Sequence, residues 1–224
     1  AFKSNRDSNL DLALNNQVWD LWKLPAGGGN AARITRFRGE NPAWSPDGSS
    51  IAYDRYSSGY ADGEHDLFVI AADGSGLPRA VATGSKDSRR PVYKGGALYF
   101  AHEANESRNL WRSGLQGGAL IQVTGHRGDH VTWPTACAAT DQVVYEYDFE
   151  LWSVRLSEVP LKPRRLGLSA DPYPDSSSFR ELSTEFHTPA WSPSGRDFVC
   201  VARGDLWIVG ADGGDARSLT VGEA

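Results

Sequence analysis

Pro42-Ala43-Trp44-Ser45-Pro46-Asp47-Gly48 and Pro189-Ala190-Trp191-Ser192-Pro193-Ser194-Gly195 are the same seven residues written twice, with one change at the sixth. Degenerate copies stand at Pro91-Val92-Tyr93 with Gly95-Gly96, and at Val131-Thr132-Trp133-Pro134. Each is followed by an apolar, β-favouring run: Ser50 to Tyr53, Ala97 to Phe100, Gln142 to Tyr147 and Asp197 to Val201. Alternation with β-branched and aromatic content predicts strands there. The Gly after each first strand tolerates the positive φ that a tight reversal needs.

A second signature recurs downstream: an acidic or amide residue, then Leu, then an aromatic. It reads Asp20-Leu21-Trp22, Asp66-Leu67-Phe68, Asn109-Leu110-Trp111, Glu150-Leu151-Trp152 and Asp205-Leu206-Trp207. Successive Leu residues are 46, 43, 41 and 55 positions apart. A fixed period overrides local assignments. The unit is therefore four strands: the Trp or Tyr strand, its return, the Leu-aromatic strand, and a last strand after a turn such as Ala72-Asp73-Gly74, Gly27-Gly28-Gly29 or Asp212-Gly213-Gly214. The last strands read Ala32 to Thr35, Arg79 to Ala82, Leu120 to Thr124, Arg164 to Leu166 and Ala216 to Thr220. No stretch carries an amphipathic helical pattern.

One such sheet cannot bury both of its faces, whereas copies stacked face to face around an axis can. The fold class expected is all-β: a β-propeller of four-stranded antiparallel blades, about five visible, the first incomplete. A β-sandwich is the structural rival, but it does not require a Leu-aromatic pair at every period. Approximate blades are 1–39, 40–86, 87–127, 128–184 and 185–224, all in one propeller fragment. Trp44 and Trp191 are expected between blades, where loss of either side chain costs about 3–5 kcal/mol.

Bulk properties narrow the function. The 224 residues have net charge −5 with scattered basic residues, which argues against nucleic acid as the main partner. No run of 18 apolar residues occurs, so a helical membrane span is not expected. Cys137 and Cys200 are far apart, form no CxxC pattern, and read as buried unpaired thiols. The chain contains no Met and starts at Ala1 inside an apparent strand, so it reads as a piece of something longer, with part of the first blade and at least one further blade elsewhere.

The heptapeptide at 42–48 and the stretch Asp205-Leu206-Trp207 through Asp212-Gly213-Gly214 resemble the WD-repeat-like blades of TolB and of the propellers in tricorn-type peptidases. Val131-Thr132-Trp133-Pro134, Val144-Tyr145-Glu146-Tyr147-Asp148 and Leu151-Trp152 look closer to the six-bladed tricorn propeller, as does the excursion from Ser169 to Glu185. The resemblance covers nearly the whole chain. It implies a non-catalytic module that binds or gates peptides for a serine peptidase region outside these residues, in the cytoplasm. The alternative it implies is a TolB-like periplasmic propeller that holds another protein.

Catalytic motifs are missing from the sequence. There is no Gly-x-Ser-x-Gly elbow. His102-Glu103 lacks the second His of a zinc helix, with Glu106 in its place. Gly27-Gly28-Gly29 reads as a hairpin turn. Asp62-Gly63-Glu64 lacks the alternating oxygens of a calcium loop. No catalytic residue, metal or cofactor is expected. Placing Trp44, Tyr93, Trp133 and Trp191 in register puts Glu40 and Asn41, Arg89 and Arg90, Asp129 and His130, and His187 and Thr188 at the entry to each first strand. In a propeller those positions surround the mouth of the channel, a polar ring suited to peptides or a protein partner. His126 and Arg127 stand close by. The loops Ser57 to His65 and Asp171 to Arg180 are further candidates for reaching a partner.

Overall fold

A computed structural model describes residues 1–4, 19–36, 38–56, 64–82, 86–104, 106–170, 180–181, 186–202 and 205–220. Among them there are only strands and turns. The first sheet holds β1 (Phe2–Ser4), β2 (Asp20–Lys23) and β3 (Ala32–Arg33). The second holds β4 (Glu40–Trp44), β5 (Ser50–Tyr56), β6 (His65–Ala71) and β7 (Arg79–Ala82). The third holds β8 (Ser88–Lys94), β9 (Ala97–Glu103), β10 (Arg108–Gly114) and β11 (Ile121–Gln122). The fourth holds β12 (Thr132–Ala136), β13 (Gln142–Tyr147), β14 (Glu150–Arg155) and β15 (Arg164–Arg165). In the fifth, β16 (Leu168–Ala170) and β17 (Arg180–Glu181) precede β18 (Phe186–Trp191), β19 (Asp197–Ala202), β20 (Asp205–Gly210) and β21 (Gly214–Ser218). Repeated antiparallel meanders in chain order make this a β-propeller, with a three-stranded first sheet.

The excursion after 169 departs from the expected loop in its first residues. There β16 pairs with β21 in parallel, Leu168 opposite Gly214. The fourth strand of this sheet is an edge with unpaired backbone groups, and a short added strand satisfies them.

The chain divides into two compact units, one of Ala1–Glu106 with Trp111–Gln122, the other of Ser107–Leu110 with Val123–Ala224. In the first, Leu21 and Ile34 of the first sheet pack on Ile51, Tyr53, Phe68 and Ile70 of the second. The other face of the second sheet, with Ala52, Leu67 and Val81, packs on Leu98 and Phe100 of the third. In the second unit Leu151 joins Leu168, Phe198, Cys200, Trp207 and Val209. Alternate residues of one strand thus serve opposite interfaces: Ile51 and Tyr53 one way, Ala52 the other.

The large buried side chains include the repeated Leu21, Leu67, Leu110 and Leu151, though not the exposed Leu206, and the second-strand aromatics Tyr53, Phe100, Tyr145 and Phe198. Trp44 is 42% exposed, which corrects its expected place between blades. The reason is register: Trp44 is the last residue of β4, just before the turn. Trp191 is half-buried and packs edge-on against Phe198 at 5.7 Å.

The conserved acid or amide of the Leu-aromatic signature has a structural role. In the first sheet Thr35 Oγ1 donates to Asp20 Oδ1 (3.0 Å) and accepts from the Leu21 amide (2.9 Å). The same clamp joins Thr124 to Asn109 and Leu110, and Thr220 to Asp205 and Leu206. Each ties the end of a fourth strand to the start of the third. Cys200 is buried and its thiol is pushed up to about 12 by burial, while Cys137 is half-buried; neither forms a disulfide.

Candidate functional site

Every described first strand of the second to fifth sheets carries the same irregularity. Glu40 lies opposite Asp54 and Ala43 opposite Ala52, so three steps on one strand match two on its partner. Arg89 and Val92, Thr132 and Thr135, and His187 and Ala190 repeat this one-residue bulge. Its residues are a non-glycine at positive φ followed by Pro: Asn41 (47°), Arg90 (55°), Trp133 (48°) and Thr188 (50°). Pro donates no ladder hydrogen bond, so it fits at a bulge. The left-handed residue before it is strained. Strain of that kind persists only where surrounding contacts over-determine it.

This register corrects the alignment of the fourth sheet. Trp133 holds the place of Asn41, and Ala136 that of Trp44. The counterparts of Glu40 and Asn41 are therefore Thr132 and Trp133. Asp129 and His130 lie ahead of the strand, where the Asp129 carboxylate accepts the His130 amide at 2.7 Å. His130 Nδ1 accepts the Arg108 amide at 2.9 Å. Aromatic identity misled the alignment, since Pro134 and not the Trp marks the shared geometry.

In the first unit two of the expected residues, Asn41 and Arg90, converge on one carboxylate that the sequence reading left out. Asp54, fully buried on β5, accepts Asn41 Nδ2 at 2.9 Å and the Arg90 amide at 2.8 Å. Its Oδ2 lies 2.6 Å from Nδ1 of buried His65. The His65 amide in turn donates to Asp87 (2.9 Å), and Asp87 takes Arg89 Nε at 2.8 and 2.7 Å. Glu40 pairs with Lys3 Nζ at 2.9 Å. One signal in the sequence pointed to Asp54: a carboxylate closing the run Ile51-Ala52-Tyr53, where an unpaired charge is costly. His65 gave no such signal, because Asp54 and Asp87 lie 11 and 22 positions from it in the chain.

The second unit shows a looser arrangement at its own bulge. His187 Nδ1 stands 3.7 Å from Glu146 Oε1. His126 is stacked on Tyr147 at 4.0 Å and bonded to the Tyr145 hydroxyl at 2.9 Å, and burial lowers its pKa. Tyr147 Oη donates to the Arg127 carbonyl at 2.6 Å. The loop residues 57–63 and 171–179 lie outside the described residues, as do Asp62 and Gly63. Among the described residues no group of three His, Cys, Asp or Glu is placed to hold a metal ion. No helix among them is long and apolar enough to cross a membrane.

The geometry defines a β-propeller with a polar network at its first-strand bulges, and known proteins agree on the fold. TolB from Acinetobacter baumannii superposes with a TM-score of 0.63 at 16% identity, over 91% of this chain and 51% of that one. A putative TolB from Agrobacterium tumefaciens gives 0.54 at 18% identity, over 97% and 59%. A puromycin hydrolase gives 0.58 at 16% identity, over 84% and 30%. The chain is 25% identical over 193 residues to the uncharacterized protein Atu1656 of Agrobacterium fabrum, 81% of this chain and 61% of that protein. It thus spans about three-fifths of that relative's length. No protein-family model matches.

Proposed function

We propose that this chain is a binding module whose first-strand bulges present polar side chains to a peptide or protein partner, without chemistry of its own. The observation that carries the reading is the network on Asp54. It holds the Asn41 side chain and the Arg90 amide at the two bulges of the first unit. Preorganised polar groups on a rigid scaffold lower the entropic cost of capture. Within the second unit His187 occupies the corresponding bulge, and Asp129 and His130 are that unit's own candidates for such a contact.

Likeness to TolB supports an interaction propeller, for which the periplasm is the compartment. Likeness to puromycin hydrolase supports a second reading, a cytoplasmic propeller that guides peptides to a peptidase region of a longer chain. Titration of a fluorescein-labelled glutamate-rich hexapeptide tests the surface common to both. Wild type is expected to bind it at least tenfold more tightly than the Arg89→Ala/Arg90→Ala variant. Equal affinity, or no saturable binding of the acidic peptide or a lysine-rich counterpart, removes the bulge surface from consideration.

A further inference from the structure

A cavity of about 490 Å³ opens between the first and second sheets of the first unit, away from the bulge residues in its lining. That is the size range of small-molecule sites. Its apolar wall includes Ile34, Ile70 and Leu77, the last 92% exposed at the rim. Arg36, Arg38 and Arg55 also line it, and among the described residues no Asp or Glu does.

Neither Arg36 nor Arg55 has an acidic partner among the described residues. Arg55 is held by stacking, its guanidinium 3.9 Å from the centre of the Phe68 ring, which leaves its donors available. Arg38 lies over Tyr56 at 5.9 Å. Asp66 stands directly across from Arg55 in the pairing of β5 with β6, and Asp20 is taken by Arg33, Thr35 and the Arg38 amide.

The second observation is Tyr53. It is fully buried, forms part of the cavity wall, and its hydroxyl has no hydrogen-bond partner. Burial pushes that hydroxyl up to about 12, so it stays a neutral donor. No water reaches that hydroxyl, so Tyr53 closes the wall without offering a bond to a ligand.

We infer that this cavity binds a carboxylate carried on an apolar body, with Arg36 and Arg55 on the carboxylate and Ile34, Ile70 and Leu77 covering the rest. Guanidinium forks match carboxylate geometry. Two sources share that chemistry: a free organic acid, and the C-terminus of a peptide ending in an apolar residue.

Calorimetric titration of the whole chain with phenylbutyrate, phenylbutyramide, and the tripeptide Ala-Ala-Phe as free acid and as amide tests this. At least one acid is expected to bind saturably, with Kd below about 1 mM, and at least tenfold more tightly than its amide. Preference for phenylbutyrate identifies a small-molecule site, and preference for the peptide acid identifies a chain terminus. Arg36→Gln is exposed and leaves the fold intact, and it should weaken the preferred acid at least fivefold. Arg55→Gln should do the same while thermal unfolding stays cooperative. If acids and amides bind alike, if no acid binds, or if Arg36→Gln changes nothing, the assignment is wrong.

Discussion

The carboxylate of Asp54, buried in the second sheet, accepts the backbone N–H of Arg90 at 2.8 Å in the first strand of the third. A side chain of one sheet thereby fixes the strained residue of the next. Asn41 and His65 bind the same carboxylate, so three groups depend on it. Asp54→Ala should destabilise the chain by about 3–5 kcal/mol, since buried partners lose their counter-group. Urea unfolding measures this, and a loss below about 1 kcal/mol would show that the network does not hold the bulge.

The Thr clamps predict a graded series. Thr35→Val keeps the shape but removes the acceptor of the Leu21 amide and the donor to Asp20, at a cost of about 1–3 kcal/mol. Thr35→Ser keeps both bonds and should cost less. Amide exchange at Leu21 gives a local reading: it should accelerate in the Val variant and stay protected in the Ser variant.

Exposure separates two aromatic and aliphatic truncations. Leu21→Ala, at a fully buried position, should cost about 2–5 kcal/mol. Trp44→Ala, at a position 42% exposed, should cost less than about 1.5 kcal/mol. Equal denaturation midpoints for the two would contradict the register of β4.

Two turn glycines share a sign of φ but not a neighbourhood. Gly48 (φ 70°) has open space at its missing Cβ, whereas a Cβ on Gly195 (φ 67°) would meet Thr140 Cγ2 at 2.7 Å and Cys137 Sγ at 2.9 Å. Gly48→Ala should cost only the backbone term of about 1 kcal/mol. Gly195→Ala should lower the melting temperature further, which paired thermal scans will show.

Burial lowers the pKa of His102, with partial opposition from Asp87 and Glu103, and lowers that of His126. The unfolded chain therefore binds these protons more readily than the folded one. Stability from this source is complete above the unfolded value of about 6.5, and is lost as pH falls from there through the depressed folded values. Unfolding free energies at pH 5 and 7.5 should differ less in His102→Gln than in wild type. An unchanged difference would assign the pH dependence to other groups.

The repeat made the fold readable because strand alternation, turn glycines and the Leu-aromatic pair are local properties. Sheet boundaries followed from them closely: the second-strand runs at Ser50, Ala97, Gln142 and Asp197 all begin strands. The site was legible only in outline. Glu40, Asn41, Arg89 and Arg90 fall at a shared irregularity, but Asp54 and His65, which organise it, come from other strands, and Asp87 lies just before β8. The fourth sheet was misread because its Trp occupies the bulge and not the strand end.

The sequence by itself determined the class of fold, since a four-strand unit repeated at near-constant spacing must stack to bury both faces. Tertiary structure alone decided which polar residues share a charge and where a cavity remains. Asp54 meets Arg90 across 36 positions, and Arg36 and Arg55 face one cavity from different sheets. Contacts of that range depend on how neighbouring sheets pack, which local pattern does not encode.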